Sequence, residues 1–181
     1  MKKLMFFILL VLVVACTPKE HKAAEVSGIW SIDYFVDSFG DKTNNPYVRS
    51  EEITGLYQRY SNAEATLGVL VSQDDHKQPV IGLRLNSEYD VIGGFMDDFT
   101  IKVSGECFES IVFRSTYNDD LRRFVVKGDN AKKLLDIFST ANSCEIKGVH
   151  EGFLMNTSFS FQIDSLAGLP AVHKMYKSLL K

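Results

Sequence analysis

The sequence is poor in the residues that build disulfide scaffolds, zinc clusters and nucleic-acid-binding surfaces. Its 181 residues include three cysteines, four prolines and one tryptophan. If the first cysteine is set aside, the two that remain are too few for a disulfide-dense scaffold or a cysteine-rich zinc site. The net charge is −3, and the only adjacent arginines are Arg122 and Arg123. A mildly acidic chain without a basic block has no electrostatic reason to bind nucleic acid.

Motifs that carry catalysis or bind nucleotides are also missing. The sequence contains no GxSxG, GxGxxG or P-loop pattern. Two short groups merit attention, a metal-like Asp74-Asp75-His76 and an acid–base-like His150-Glu151. The first is better explained as a turn, because turns collect Asp for backbone reasons. The second lacks a third member. We predict no catalytic residue, no metal and no cofactor.

Acidic pairs and the remaining histidines give no stronger site. Asp97-Asp98 and Asp119-Asp120 offer oxygens to calcium, but neighbouring residues of a strand point to opposite faces, and solvated turn charges explain the pairs better. The other histidines are His21, near the N-terminus, and His173, beside lysines, where we expect it to be solvated.

Long apolar runs are confined to one place, residues 4–14, which follow Lys2-Lys3. Eleven apolar residues match the core of a secretory signal and are too few for a membrane span, which needs about 20. The run ends in Val13-Val14-Ala15-Cys16, which resembles the lipobox of bacterial lipoproteins. The resemblance implies cleavage before Cys16, a diacylglyceryl group on its sulfur and acylation of the new N-terminus. The acyl chains would attach the protein firmly to a membrane.

This reading divides the chain into three parts. Residues 1–15 are the signal peptide, 16–26 the lipidated cysteine with a polar tether, and 27–181 one globular domain. Loss of Lys2 and Lys3 leaves 18 basic against 23 acidic residues, a net charge of −5. Thr17 follows the cysteine where inner-membrane retention would need Asp. We therefore expect an outer-membrane protein that faces the periplasm, with exposure at the cell surface left open.

The two remaining cysteines form a candidate disulfide. Cys107 and Cys144 would be an even pair in an oxidising compartment, and a bridge would contribute roughly 4 kcal/mol by loop closure. The alternative is two separate buried thiols.

Alternation of apolar and polar residues with period two dominates the domain and predicts a mainly β fold. The last segment instead places Leu166, Leu169, Val172, Tyr176 and Leu179 at helical spacing. We expect a β-sandwich or a closed antiparallel barrel of about nine strands, with two short helices, the last at the C-terminus. Strands are expected at residues 28–39, 52–60, 65–71, 80–85, 89–94, 99–104, 107–114, 121–127, 143–149 and 157–163, and a loop at 40–46.

Polar residues next to the two helices suggest caps. Asp129 or Asn130 is expected to cap the first helix and Ser165 the second. Asp164-Ser165-Leu166 is also similar to the acceptor signature of a bacterial O-glycosylation system, but the capping role explains the same residues.

Aromatic residues of the early strands could form core or line a ligand pocket, and period two favours core. They are Trp30, Tyr34, Phe39, Tyr57 and Tyr60.

Without a catalytic constellation, we expect a lipid-anchored, non-enzymatic module that binds an envelope protein or a glycan. The alternative is a periplasmic hydrolase with an unfamiliar site, around His150 and Glu151 or residues 74–76. A cleft that joins a histidine to a buried carboxylate would favour the hydrolase, and an aromatic-lined surface would favour the module.

Overall fold

The alternating sequence segments form ten strands of one antiparallel sheet in the described part of the chain. The structure is a computed structural model that describes residues 28–59, 61–87, 98–118, 121–152 and 156–180. The strand predicted at 89–94 lies outside these ranges. The strands are β1 Trp30–Val36, β2 Lys42–Ser50, β3 Ile53–Gln58, β4 Asn62–Gln73, β5 Pro79–Ser87, β6 Asp98–Gly105, β7 Phe108–Asn118, β8 Arg123–Val126, β9 Cys144–Glu151 and β10 Asn156–Ile163.

Eight of these strands close into a barrel. They follow the order β3, β4, β5, β8, β7, β6, β9 and β10, and β10 pairs with β3 again. The longest seam joins β4 to β5, from Ala65 opposite Ser87 to Gln73 opposite Pro79. Closure leaves these strands without a free edge. The predicted mainly β fold is therefore confirmed as a closed antiparallel barrel, with eight strands in the wall.

Strands β1 and β2 form a hairpin that extends from the barrel wall. β2 joins β4 through two residue pairs, Val48 with Val71 and Arg49 with Leu70. β3 then continues along the same edge of β4. At the break between β2 and β3, the buried Ser50 hydroxyl accepts a hydrogen bond from the amide of Val69 at 2.9 Å. This side chain keeps the wall bonded where the chain bends.

The loop predicted at residues 40–46 is wrong, because β2 already begins at Lys42. The turn lies earlier, where the Asp37 carboxylate accepts hydrogen bonds from the amides of Phe39 and Asp41. Polar residues form a strand here because pairing with β1 satisfies their backbone while their side chains reach solvent.

The barrel interior is filled by the inward-facing residues of every strand. Phe99, Phe124 and Phe159 contact one another there, with ring centroids 5.2 to 5.7 Å apart. The Phe159 ring lies over Gly148, its partner on β9, so that a Cβ at position 148 would overlap the ring. Eight-stranded barrels have an interior just wide enough for side chains, so glycine is needed where a ring lies flat.

Two helices complete the domain, α1 Gly128–Thr140 and α2 Leu169–Leu179. The buried face of α1, which includes Leu134 and Phe138, packs on β5 and β7. α2 packs mainly on the β1–β2 hairpin. Trp30 links these parts, because its indole Nε1 donates to the Leu166 carbonyl at 3.1 Å and its ring lies 6.2 Å from that of Phe138.

The predicted caps are wrong at both helices. Lys127 and Gly168 occupy the N-cap positions, and neither makes a side-chain capping hydrogen bond. Gly168 has φ 95°, a left-handed conformation that glycine adopts without strain, and Pro170 follows in the first turn. Ser165 consequently lies three residues before the cap, exposed in the preceding loop.

Gly148→Ala is expected to destabilise the domain by about 1–3 kcal/mol, because the added methyl group must displace the Phe159 ring from a filled interior. Chemical denaturation of both proteins measures the change. Gly68→Ala is the matched control, since its Cβ would lie no closer than 3.5 Å to any atom. Equal stability of the two variants would contradict this account of the core.

Candidate functional site

Cys16 and the tether at 16–26 lie outside the described residues, so lipidation remains a prediction.

The other two cysteines are free thiols in the structure. Cys144 points into the barrel and is 1% exposed, whereas Cys107 lies in the exposed turn between β6 and β7. The two thiols are not bridged in the structure, where one is exposed and the other is buried. Burial raises the pKa of the Cys144 thiol to about 12.

His76 lies in the turn between β4 and β5, as the sequence predicts. The Asp74 carboxylate accepts hydrogen bonds from the amides of His76 and Gln78, each at 2.9 Å. Asp74 thus shapes the backbone of the turn, and its oxygen is occupied by amide donors.

His150 and Glu151 do not form an acid–base pair. The His150 ring packs on Phe99 with centroids 5.6 Å apart, and its Nδ1 lies 3.1 Å from the carbonyl oxygen of Asp98. Glu151 is exposed and follows His150 on the same strand, so the two side chains point to opposite faces. The side-chain carboxylate of Asp98 accepts a hydrogen bond from the Thr116 hydroxyl. Asp97, Asp119 and Asp120 lie outside the described residues.

His173 is partly buried, contrary to the expected solvation. Its ring stacks on Tyr176 of the same helix, with centroids 5.8 Å apart and planes 16° apart. Burial lowers the pKa of His173, and the charge of Lys177 lowers it further. The lowered pKa favours the neutral form of the ring.

The early aromatic residues divide between core and surface. Trp30 and Tyr57 are buried in the core, as expected from their period. Phe39 is 90% exposed at the tip of the hairpin. Tyr34 lines a surface cavity, and Tyr60 lies outside the described residues.

A concave surface, here called the hairpin cleft, lies between the β1–β2 hairpin and the outer faces of β4, β5 and β8. It consists of three adjoining cavities of about 420, 230 and 200 Å³. The largest and the smallest share residues of β1, β4 and β8. Side chains from five strands form its walls: Phe35, Tyr47, Leu70, Arg84 and Arg123.

One wall of the cleft is aromatic. Phe35 of β1 and Tyr47 of β2 pack together with ring centroids 4.5 Å apart. Leu70 of β4 and Val125 of β8 provide apolar surface on the barrel side. Such a lining suits a ligand that carries a flat or apolar group.

Positive charge predominates in the centre of the cleft. Five basic and three acidic residues line it. One of the acids, Asp33, pairs with two of the cations, since its carboxylate lies 3.1 Å from Lys42 Nζ and 3.6 Å from Arg49 Nε. The amide of Tyr34 and then Lys42 hold the pKa of Asp33 below its ordinary value, so it remains an anion. The remaining three basic residues are Arg84, Arg122 and Arg123.

Arg123 is the most enclosed of these cations. Its Nε donates to the Leu121 carbonyl at 2.9 Å, and its stem lies across Gly82 of β5. Burial lowers the pKa of the guanidinium, Tyr47 opposes the shift, and Arg84 adds to it. Burying the charged Arg123 guanidinium in this position is therefore energetically unfavourable.

Reasoning from the sequence did not find the hairpin cleft. Arg84 was recognisable only as a polar residue of a strand, and Arg122-Arg123 as an isolated basic pair. Their proximity follows from the pairing of β5 with β8, which places Leu83 opposite Phe124. No local pattern indicates which strands will be neighbours.

Comparison with known proteins gives no relative, since no family model, curated protein or solved structure matches the chain. No three His, Cys, Asp or Glu side chains are grouped as a metal site within the described ranges. No helix in the described residues, α1 and α2 included, is long and apolar enough to cross a bilayer.

Alkylation of the native full-length protein is expected to modify Cys107 and leave Cys144 unmodified, even at pH 9, because the buried thiol has a pKa of about 12. Peptide mass spectrometry distinguishes the two sites. After unfolding without reductant, both thiols should react. If neither reacts in the unfolded chain, the cysteines are bridged and this assignment is wrong.

Proposed function

We propose that this chain is a lipid-anchored protein of the bacterial cell envelope, and that its barrel is a non-enzymatic module that binds a partner or ligand in the hairpin cleft. The observation that supports binding is the cleft itself, with its aromatic wall and its arginines. The described histidines support the same choice over a hydrolase, because His76, His150 and His173 lie on separate elements and none lines the cleft.

The lipobox-like Val13-Val14-Ala15-Cys16 supports the anchor. Each buried acyl CH₂ contributes roughly 0.8 kcal/mol, and two or more chains hold a protein firmly where one does not. The polar residues after Cys16 would separate the barrel from the membrane. With Thr17 next to the cysteine, the outer membrane facing the periplasm is the proposed location.

Cys16→Ala is expected to abolish labelling by radioactive fatty acid and to release the protein from the membrane fraction, because the acylated sulfur is lost. Cell fractionation and labelling of the full-length chain measure both effects. Cys107→Ala is the matched control and should keep label and membrane attachment. Continued labelling of the Cys16→Ala protein would remove the anchor from this proposal.

A photo-crosslinking amino acid in place of Val36 is expected to capture the binding partner in intact cells, because Val36 borders the cleft and is 61% exposed. The same replacement at Val112 is the control, since this residue is 60% exposed on the outer face of β7. Mass spectrometry of the purified protein identifies adducts of any size. Adducts that form equally at both positions, or at Val112 alone, would place binding elsewhere.

A further inference from the structure

Two arginines face each other in the hairpin cleft without an acidic partner. β5 pairs with β8 from Ile81 opposite Val126 to Leu83 opposite Phe124, so that Arg84 and Arg123 follow at the end of this pairing. They are close enough for the charge of Arg84 to lower the pKa of Arg123. In the described residues, no carboxylate oxygen lies within the 4.0 Å limit of an ion pair from either guanidinium.

This arrangement is unfavourable for the empty domain. Like charges close together on neighbouring strands destabilise a sheet, and the partial burial of Arg123 adds a desolvation penalty. The nearest acid on the hairpin, Asp33, is already bonded to Lys42 and Arg49. Glu51 and Glu52 line the cavity beside Arg84, where a Glu52 oxygen accepts a hydrogen bond from the Asn86 amide at 3.4 Å. None of these carboxylates comes within ion-pair distance of Arg84 or Arg123.

The backbone beneath the pair leaves room for this geometry. A Cβ at Gly82 would lie 3.0 Å from Arg123 Cδ and 3.4 Å from Leu70 Cβ, so glycine lets the Arg123 stem lie close against the barrel. The Nε of Arg123 is bonded to a carbonyl, which fixes the plane of the guanidinium and leaves its terminal nitrogens for another acceptor. The cavity of about 420 Å³ beside the pair is large enough for a small organic ligand.

We propose that Arg84 and Arg123 together bind an oxyanion, a carboxylate or phosphate group, whose attached flat or apolar portion lies against Phe35 and Tyr47. Guanidinium groups match such anions with paired N–H donors, and the anion removes the repulsion between the two cations. This inference rests on the proposed function, because it names the chemistry recognised by the same cleft.

Isothermal titration of the full-length protein in a non-ionic detergent tests the proposal, with inorganic phosphate, phenyl phosphate and benzoate as probes at constant ionic strength. We expect phenyl phosphate or benzoate to bind more tightly than inorganic phosphate, since the ring gains contact with the aromatic wall. Arg84→Gln and Arg123→Gln should each weaken binding by about tenfold or more. Arg114→Gln, on the exposed outer face of β7, is the matched control and should bind normally.

Preference for phenyl phosphate or for benzoate would each support the proposal and identify the anion. Absence of binding by all three probes, or equal loss in the Arg114→Gln control, would overturn it.

Arg84→Gln should also leave the melting temperature of the unliganded protein unchanged or higher, because it removes a repulsion. If the melting temperature falls, Arg84→Lys replaces Arg84→Gln in the binding test. The lysine keeps the positive charge but lacks the planar guanidinium, so this variant should still bind the probes less tightly. A partner captured at Val36 without any oxyanion binding would leave the proposed module intact and remove this inference alone.

Discussion

The pairing of β4 with β5 is the constraint on which the rest of the structure depends. It closes the barrel, and it does so along strands longer than β3, the neighbour on the other edge of β4. The unmatched end of β4 therefore presents free backbone groups beyond β3. β2 takes them up through Val48 and Arg49, which is why a hairpin projects from an otherwise closed wall.

The hairpin gives the outer face of the barrel an environment that barrel exteriors ordinarily lack. Outward-facing residues of β5 and β8 would be solvated on a bare wall, where two arginines repel each other only weakly. Beside Phe35 and Tyr47, Arg123 is partly shielded from water, whereas Arg84 stays exposed. The hairpin thus partly encloses a charge that a bare barrel wall would leave in solvent.

The sequence allowed prediction of most strands and of the fold class, because period-two alternation is a local property that burial on one face imposes. It failed at β2, whose polar residues pair with β1 outside the barrel, and at the caps, where Gly168 and its positive φ replaced the expected Ser165. The hairpin cleft could not be predicted from the sequence for a different reason. Arg84 and Arg123 meet through a strand pairing between distant segments, and such pairings are fixed by the whole chain.

The seam between β3 and β10 joins the beginning of the barrel to its end, because Gly55 and Tyr57 pair with Phe161 and Phe159. A chain that emerges from its N-terminus cannot form this seam until β10 is free, and until then β3 is an open strand edge. Contacts between such distant segments make folding slow, and the unpaired edge is prone to aggregation meanwhile. Closure of the barrel is therefore a late step of folding, because it waits for a strand near the end of the chain.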